Sequence, residues 1–306
     1  MSENKRKFYF KKGKDYGQQH KKNKKDSNKE KENIVLEKVN CPLCENDRKE
    51  EIIEFSRRMN KLYYTCKQCG LVYLHPHYHV DNQKEKTRYE FHQNSPQDEK
   101  YKSFLQPCVD KLIPLLREHN KDQKDNEIIG LDYGCGPGPT LSLMFKEKGF
   151  TLENYDPYFL ENDKVKQAEK YLENSGNQDN NSDKIAQPFH FVTCTEAIEH
   201  FKAPILDLKK IIDGGLISKN NGLLLIMTQL LLTDEQFENW HYPRDYTHIC
   251  FFRPTTFNWI SKKFNSNLLE MDEKRGIIIL SFKNNENKQN DEIDKKNSEN
   301  NENYEK

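Results

Sequence analysis

The chain has 306 residues, in which 49 Lys and Arg balance 49 Asp and Glu, and 34% of residues are hydrophobic against 32% charged. Globular domains run at roughly 45–50% apolar residues, so one compact unit of this length is excluded, while 17 Phe and 15 Tyr exclude a wholly unfolded chain. A membrane span is excluded as well, because the longest apolar run, Gly222 to Leu232, is broken by Thr228 and Gln229 and falls short of the ~20 residues a bilayer needs.

Residues 1–40 cluster Lys and Arg (Lys5-Arg6-Lys7, Lys21-Lys22, Lys24-Lys25) among Asn, Gln, Asp and Glu. This basic arm reads as a nuclear-import signal or a nucleic-acid contact, or as a tail that is only solvated. It has no apolar segment to act as a signal peptide, which predicts an intracellular, cytoplasmic protein, nuclear if the arm is an import signal. Residues 284–306 and a polar insertion at 172–187 are rich in Asn, Asp, Glu and Lys. None of the three can bury enough surface to offset its ordering entropy, so all are expected to be disordered.

Between them, Cys41-Pro-Leu-Cys44 and Cys66-Lys-Gln-Cys69 are two C-x-x-C pairs. Two residues between thiolates make a knuckle that points both sulfurs at one cation, and two knuckles complete a tetrahedron. Lys61–Thr65 and Leu71–Leu74 read as short strands beside the second knuckle, and Gly70 supplies a permissive backbone after it. The spacing predicts a structural zinc ribbon over 41–80, since four ligands leave no position open for catalysis. Two disulfides are the competing reading, and they require an oxidising compartment. Cys108, Cys135, Cys194 and Cys250 are scattered and read as buried apolar residues.

Next comes an apolar strand, Glu127 to Asp132, running into Tyr133-Gly-Cys-Gly-Pro-Gly-Pro-Thr140 and a helix from Leu141 to Lys148. Strand, glycine loop and helix open a nucleotide-binding α/β fold, with the ligand at the carboxyl end of the strand. The glycines at 134, 136 and 138 follow G-x-G-x-G, and Pro139 stands where the dinucleotide fingerprint wants its third glycine. Asp132 would disfavour a pyrophosphate and suits an ammonium. A second strand, Phe150 to Tyr155, ends in Asp156-Pro157, and an acid there accepts hydrogen bonds from ribose hydroxyls. Further elements follow: a strand at Phe191, a helix over Ala203–Ile212, a buried strand over Gly222–Met227, a helix over Pro254–Phe264, and a closing strand pair, Asn267–Leu269 with Gly276–Phe282. This alternation predicts a doubly wound sheet.

On these residues the chain resembles the class I S-adenosylmethionine-dependent methyltransferases. Leu131 to Gly138 is similar to their first motif, and Asp156 falls on their ribose-binding acid. Phe191-Val-Thr-Cys-Thr-Glu-Ala-Ile-Glu-His-Phe201 resembles the fourth-strand motif. The resemblance covers roughly 85–283, implies a Rossmann-like fold, and assigns Asp132, Gly134, Cys135, Gly136, Gly138, Asp156, Pro157 and Glu196 to the cofactor. Methyltransferase-domain proteins with an N-terminal pair of knuckles also carry stretches like Arg88 to Asn94 and Trp240 to Phe252, both of which stand here. The usual third strand, source of an adenine-binding acid, is expected to be shortened or absent.

Methyl transfer from a sulfonium needs alignment and exclusion of water, with a general base where the acceptor is a hydroxyl. The candidates are His248 with Asp245, in an aromatic segment after the fifth strand, and His200 after the fourth. Core packing is the competing reading of these residues. Tyr89 to Tyr101, including His92 and Gln93, is a candidate lid. Three functions stand: methylation of a small molecule, methylation of RNA gripped by the ribbon and basic arm, and a non-enzymatic binding scaffold.

Overall fold

The computed structural model describes residues 36–91, 94–174 and 185–282. The expectations for most of the basic arm, the acidic tail, residues 175–184 of the insertion and the lid residues His92 and Gln93 lie outside the described residues.

The larger half is a six-stranded sheet. β4 (Ile129–Tyr133), β5 (Thr151–Tyr155), β6 (Phe191–Thr195) and β7 (Gly222–Met227) run parallel, while β9 (Asn267–Asp272) and β10 (Ile277–Phe282) close it antiparallel. In space the order is β5-β4-β6-β7-β10-β9. The sheet is therefore mixed, with the expected closing pair as its antiparallel edge. β5 is the other edge, and among the described residues no strand lies outside it, in keeping with the expected loss of a third strand.

The middle strands β4, β6 and β7 are buried on both faces, and β7 shows the unbroken apolar run that such burial favours. Leu223, Leu225 and Met227 of β7 point to one side, where they meet α2 (Glu99–His119) and α3 (Thr140–Glu147). Leu224 and Ile226 point to the other, against α5 (Pro204–Ile212) and α7 (Pro254–Lys263). Alternation along one strand thus feeds two separate cores. The chain moves from β4 outward to β5, then returns across β4 to β6. That reversal opens a crevice at the carboxyl ends of these strands.

The four cysteines flank a second sheet of order β1-β2-β3-β8, from Ile52–Ser56, Tyr63–Cys66, Val72–Leu74 and Cys250–Phe251: Cys41 and Cys44 precede β1, Cys66 ends β2 and Cys69 lies in the turn to β3. Its last strand comes from the larger half. Val72 pairs with Phe251 and Tyr73 with Cys250, and Leu74 N–H donates to the Ile249 carbonyl at 2.8 Å. Tyr63, Phe237 and Phe251 interlock with ring centroids 5.0–6.0 Å apart, which makes the two halves one continuous core. α1 (Asn82–Glu90), capped by the Asp81 carboxylate on Lys84 N–H at 2.9 Å, then leads across the crevice.

Candidate active site

Every strand end expected to carry chemistry opens into one cavity of about 950 Å³. It is lined by Asp132, Gly134, Cys135, Gly136, Gly138, Asp156, Pro157 and Glu196, and by His200, Asp245 and His248.

The glycine loop is shaped by backbone demands. Gly134 and Cys135 N–H both donate to the Tyr155 carbonyl, at 2.8 and 3.1 Å, which turns the chain sharply off β4 and puts Gly134 at φ +87°. A Cβ there would lie 2.6 Å from the Ala197 methyl, and a Cβ at Gly138 would lie 2.2 Å from the Asn94 carbonyl oxygen. The glycines thus admit both the turn and a close approach by the segment that crosses the cavity. Thr140 Oγ1 fixes the same Asn94 carbonyl at 2.8 Å.

Two carboxylates flank the loop on adjacent strands. Asp132 is 3% exposed and accepts from Thr193 Oγ1 at 2.7 Å. Burial pushes its carboxyl up to about 7, the Thr193 bond pulls against this, and the Asp156 charge adds to the rise. Asp156 accepts from Gly136 N–H at 3.0 Å and Tyr158 N–H at 2.8 Å. Burial pushes it up too, and these backbone bonds offset part of the rise. Each Asp156 oxygen holds one such bond and keeps acceptor capacity for a ligand.

After β6 the chain kinks at Glu196, a non-glycine residue at φ +48°, a strained geometry that tends to mark functional positions. The kink turns Glu196 toward the cavity, where burial first, and the neighbouring Glu199 second, push its carboxyl up to about 9. Glu199 itself is 0% exposed. It accepts from Tyr242 Oη at 2.6 Å and from Thr228 Oγ1 at 2.9 Å.

The 240–248 segment packs over this kink. His248 Nδ1 lies 2.9 Å from the Tyr242 carbonyl and His200 Nδ1 3.0 Å from the Thr247 carbonyl. A carbonyl oxygen only accepts, so both Nδ1 atoms carry hydrogen, and in the neutral rings Nε2 carries the lone pair. Burial lowers His248 to about 4, so the imidazole is neutral near pH 7. The Asp245 carboxylate bonds Arg88 at 2.7 Å and accepts from Thr247 Oγ1 at 2.6 Å. Burial alone would raise it, but these bonds hold it well below the usual range. Asp245 therefore ties the segment to α1, while the Tyr242 carbonyl orients His248.

The expected lid segment supplies Tyr89, Asn94 and Tyr101 to the lining; Tyr89 meets His200 edge-on at 5.1 Å. Glu85, Tyr158, Tyr242 and Glu199 are lining residues that the sequence did not single out for the site. The Glu199-His200 pair directly after a strand was the available signal for Glu199.

At the other site, Cys41 and Cys69 Sγ are 3.5 Å apart, Cys44 and Cys66 Sγ 3.4 Å apart, and all four sulfurs lie within 4.8 Å of one another. A tetrahedron of ~2.3 Å zinc–sulfur bonds has edges of ~3.8 Å, so the donor set fits. All eight cysteines are free thiols, which replaces the two-disulfide reading, and Gly70 takes φ +76° as expected.

A family described as a methyltransferase domain matches residues 98–271, more than half of the chain. The chain belongs to this methyltransferase-domain family. Among solved structures it is similar to a SAM-dependent methyltransferase from Archaeoglobus fulgidus (12% identity, 59% of this chain and 94% of that one, TM-score 0.40). It is also similar to the magnesium protoporphyrin IX methyltransferase of Synechocystis PCC 6803 with bound SAH (11% identity, 67% and 89%, TM-score 0.37). No curated protein matches. The family match bears out the methyltransferase fold read from the sequence.

Proposed function

We propose that this methyltransferase domain uses S-adenosylmethionine and methylates a small molecule held in the 950 Å³ cavity. The observation that carries the reading is the pair of buried carboxylates, Asp132 and Asp156, on either side of the glycine loop. A buried acid at the end of β4 fits an ammonium, and an acid with spare acceptor capacity at the end of β5 fits a ribose diol. When bound, the cofactor supplies a methyl group on a sulfonium, already activated for displacement.

In this reading Gly134, Cys135, Gly136, Gly138 and Pro157 let the backbone close on the cofactor, and Glu196 borders its methyl end. α1 and Tyr89 exclude water from the far side. His248, with its lone pair on Nε2, receives the proton of a hydroxyl acceptor, and His200 shares that wall of the cavity. Asp245 holds the segment in place through Arg88. Zinc on Cys41, Cys44, Cys66 and Cys69 completes the ribbon over 41–80, and 85–283 forms the catalytic unit.

A small acceptor is favoured because the ribbon's arginines are already engaged. Arg48 pairs with Glu51 at 2.8 Å and Arg57 with Glu54 at 2.6 Å, while Arg58 is buried on the Phe237 carbonyl. The test is cell extract incubated with methyl-labelled cofactor and the purified chain, then split into small-molecule, RNA and protein fractions. Label in the small-molecule fraction is the expected result. Label confined to RNA, or no binding of S-adenosylhomocysteine by calorimetry, overturns the reading.

A further inference from the structure

We propose that Glu199, His200 and His248 bind a divalent first-row transition-metal ion at the cavity wall, and that an oxygen of the methyl acceptor completes its coordination. The ion site stands on its own geometry; the acceptor's part in it rests on the methyl-transfer reading above.

The first support is convergence. One donor atom from each of the three residues lies within 4.8 Å of the others. His200 Nε2 is 3.8 Å from Glu199 Oε1, and the two imidazoles meet edge-on at 4.7 Å. Donors 2.0–2.2 Å from a common ion stand ~3–3.5 Å apart, so a contraction of about 1 Å closes the site.

Orientation is the second. Metal-binding histidines characteristically donate the other ring N–H to a carbonyl or carboxylate, which fixes the tautomer and aims the lone pair. Both rings have this arrangement, His200 on Thr247 and His248 on Tyr242, at 3.0 and 2.9 Å. The carboxylate is held likewise, one oxygen by Tyr242 Oη and the other by Thr228 Oγ1. Ligands and supports together come from three separated stretches of chain.

The third is charge. A fully buried carboxylate is costly unless a cation meets it, and among the described residues no Lys or Arg lies within ion-pair distance of Glu199; His200 Nε2 stands 3.8 Å from its Oε1. Two imidazoles and one carboxylate suit zinc, iron, manganese or cobalt rather than the all-oxygen preference of magnesium or calcium. Three protein ligands also leave positions open toward the cavity, in contrast to the closed four-cysteine site.

With an ion in place, both Nε2 lone pairs are engaged and His248 no longer serves as the base. The acceptor's O–H bond breaks with its electron pair left on oxygen and its proton passed to water. That oxygen forms the new O–CH₃ bond as the S–CH₃ bond breaks, and the pair from that bond returns to sulfur. A hydroxyl acceptor, above all a phenol or an adjacent diol, is the substrate class this wall accommodates.

The experiment is a titration of the full chain with Co²⁺, read by absorption and by metal content per chain. Cobalt on the cysteines gives strong thiolate-to-metal charge transfer, whereas cobalt on the triad gives only weak ligand-field bands. The expected result is a second equivalent of the weak type, with its affinity reduced ~100-fold or more in His200→Ala and His248→Ala. Both variants should keep the charge-transfer band. Absence of a second equivalent in the wild-type chain overturns the site, as does its survival unchanged in both variants. Calorimetry with S-adenosylhomocysteine on the same samples keeps the two readings apart. A chain that binds the cofactor product but only one cobalt loses the ion site alone, and one that binds both cobalts but no cofactor product loses the methyl-transfer reading.

Discussion

Cofactor binding should release a proton, and Asp132 sets how much. Its carboxyl, raised from 3.8 to about 7 by burial, is protonated in nine-tenths of free molecules at pH 6 and in about a tenth at pH 8. An ammonium placed against it restores the charged form. Binding at pH 6 should therefore release about 0.9 proton, and at pH 8 about 0.1. The sign for stability is fixed by the same shift. The native state holds this proton more tightly than the unfolded chain, so the stabilisation is complete below pH 3.8 and is lost as pH rises to 7. In energy the shift corresponds to at most about 4 kcal/mol, less where cavity water screens the charge. Asp132→Asn removes the ionisation, so the cofactor-free variant should be more stable than wild type at pH 8 while binding the cofactor ~100-fold more weakly. Calorimetry in two buffers of different ionisation enthalpy measures the released proton directly. Identical observed enthalpies in both buffers at pH 6 would refute the reasoning, and so would an undiminished release in Asp132→Asn.

Gly138→Ala should cost about 1–3 kcal/mol, because its Cβ meets a backbone oxygen at 2.2 Å that Thr140 also anchors; a melting temperature lowered by several degrees checks it. Asp156→Ala should weaken S-adenosylhomocysteine by at least ~10-fold, through loss of a carboxylate acceptor of hydrogen bonds; unchanged affinity in calorimetry contradicts the assignment. Cys66→Ser should lose the ribbon's zinc and lower turnover up to ~100-fold while sparing cofactor affinity, since a shift near 1 Å at the acceptor wall suffices for that. Atomic absorption, calorimetry and label transfer separate the three effects.

The strands that carry the site were legible because β4, β6 and β7 are buried on both faces: β7 reads as an unbroken apolar run, and β4 and β6 are mostly apolar around Asp132 and Thr193. The ends of β4 and β6 were then the natural place to look for Asp132, Glu196 and His200, and the end of β5 for Asp156. α2 was not legible: Leu105, Cys108, Val109, Leu112, Ile113 and Leu116 keep helical spacing and are buried, but Pro107 and Pro114 interrupt the pattern inside it. α4 (Asp163–Asn174) buries only Val165 and Ala168, too little apolar signal to stand out from the polar stretch that follows. β8 is a strand of two residues that exists because β3 lies beside it, a partner about 180 positions away that no local pattern encodes. The polar wall was hidden for the same reason. Glu199 is satisfied by Tyr242 and Thr228, 43 and 29 residues further on.

The pairing of β3 with β8 also gives the four-cysteine site, if it holds the proposed zinc, a reason to accompany this domain. His248 stands two residues before β8, and Ile249 is held from both sides. Its carbonyl accepts from Leu74 of the ribbon at 2.8 Å, and its N–H donates to the Glu199 carbonyl at 2.9 Å. The ribbon strand, Ile249 beside His248, and Glu199 are thus joined by consecutive backbone hydrogen bonds. An imidazole carried on a long connection after β7 would otherwise lie on a free loop, with several rotamers and backbone states to lose on engaging an acceptor. Fixing that connection as the fourth strand of the sheet beside the four cysteines would place the loss in folding rather than in each catalytic cycle. The ribbon needs no contact with substrate to act in this way. Its influence on the acceptor should accordingly pass through the position of His248, and leave Asp132 and Asp156, on the far side of β6, undisturbed.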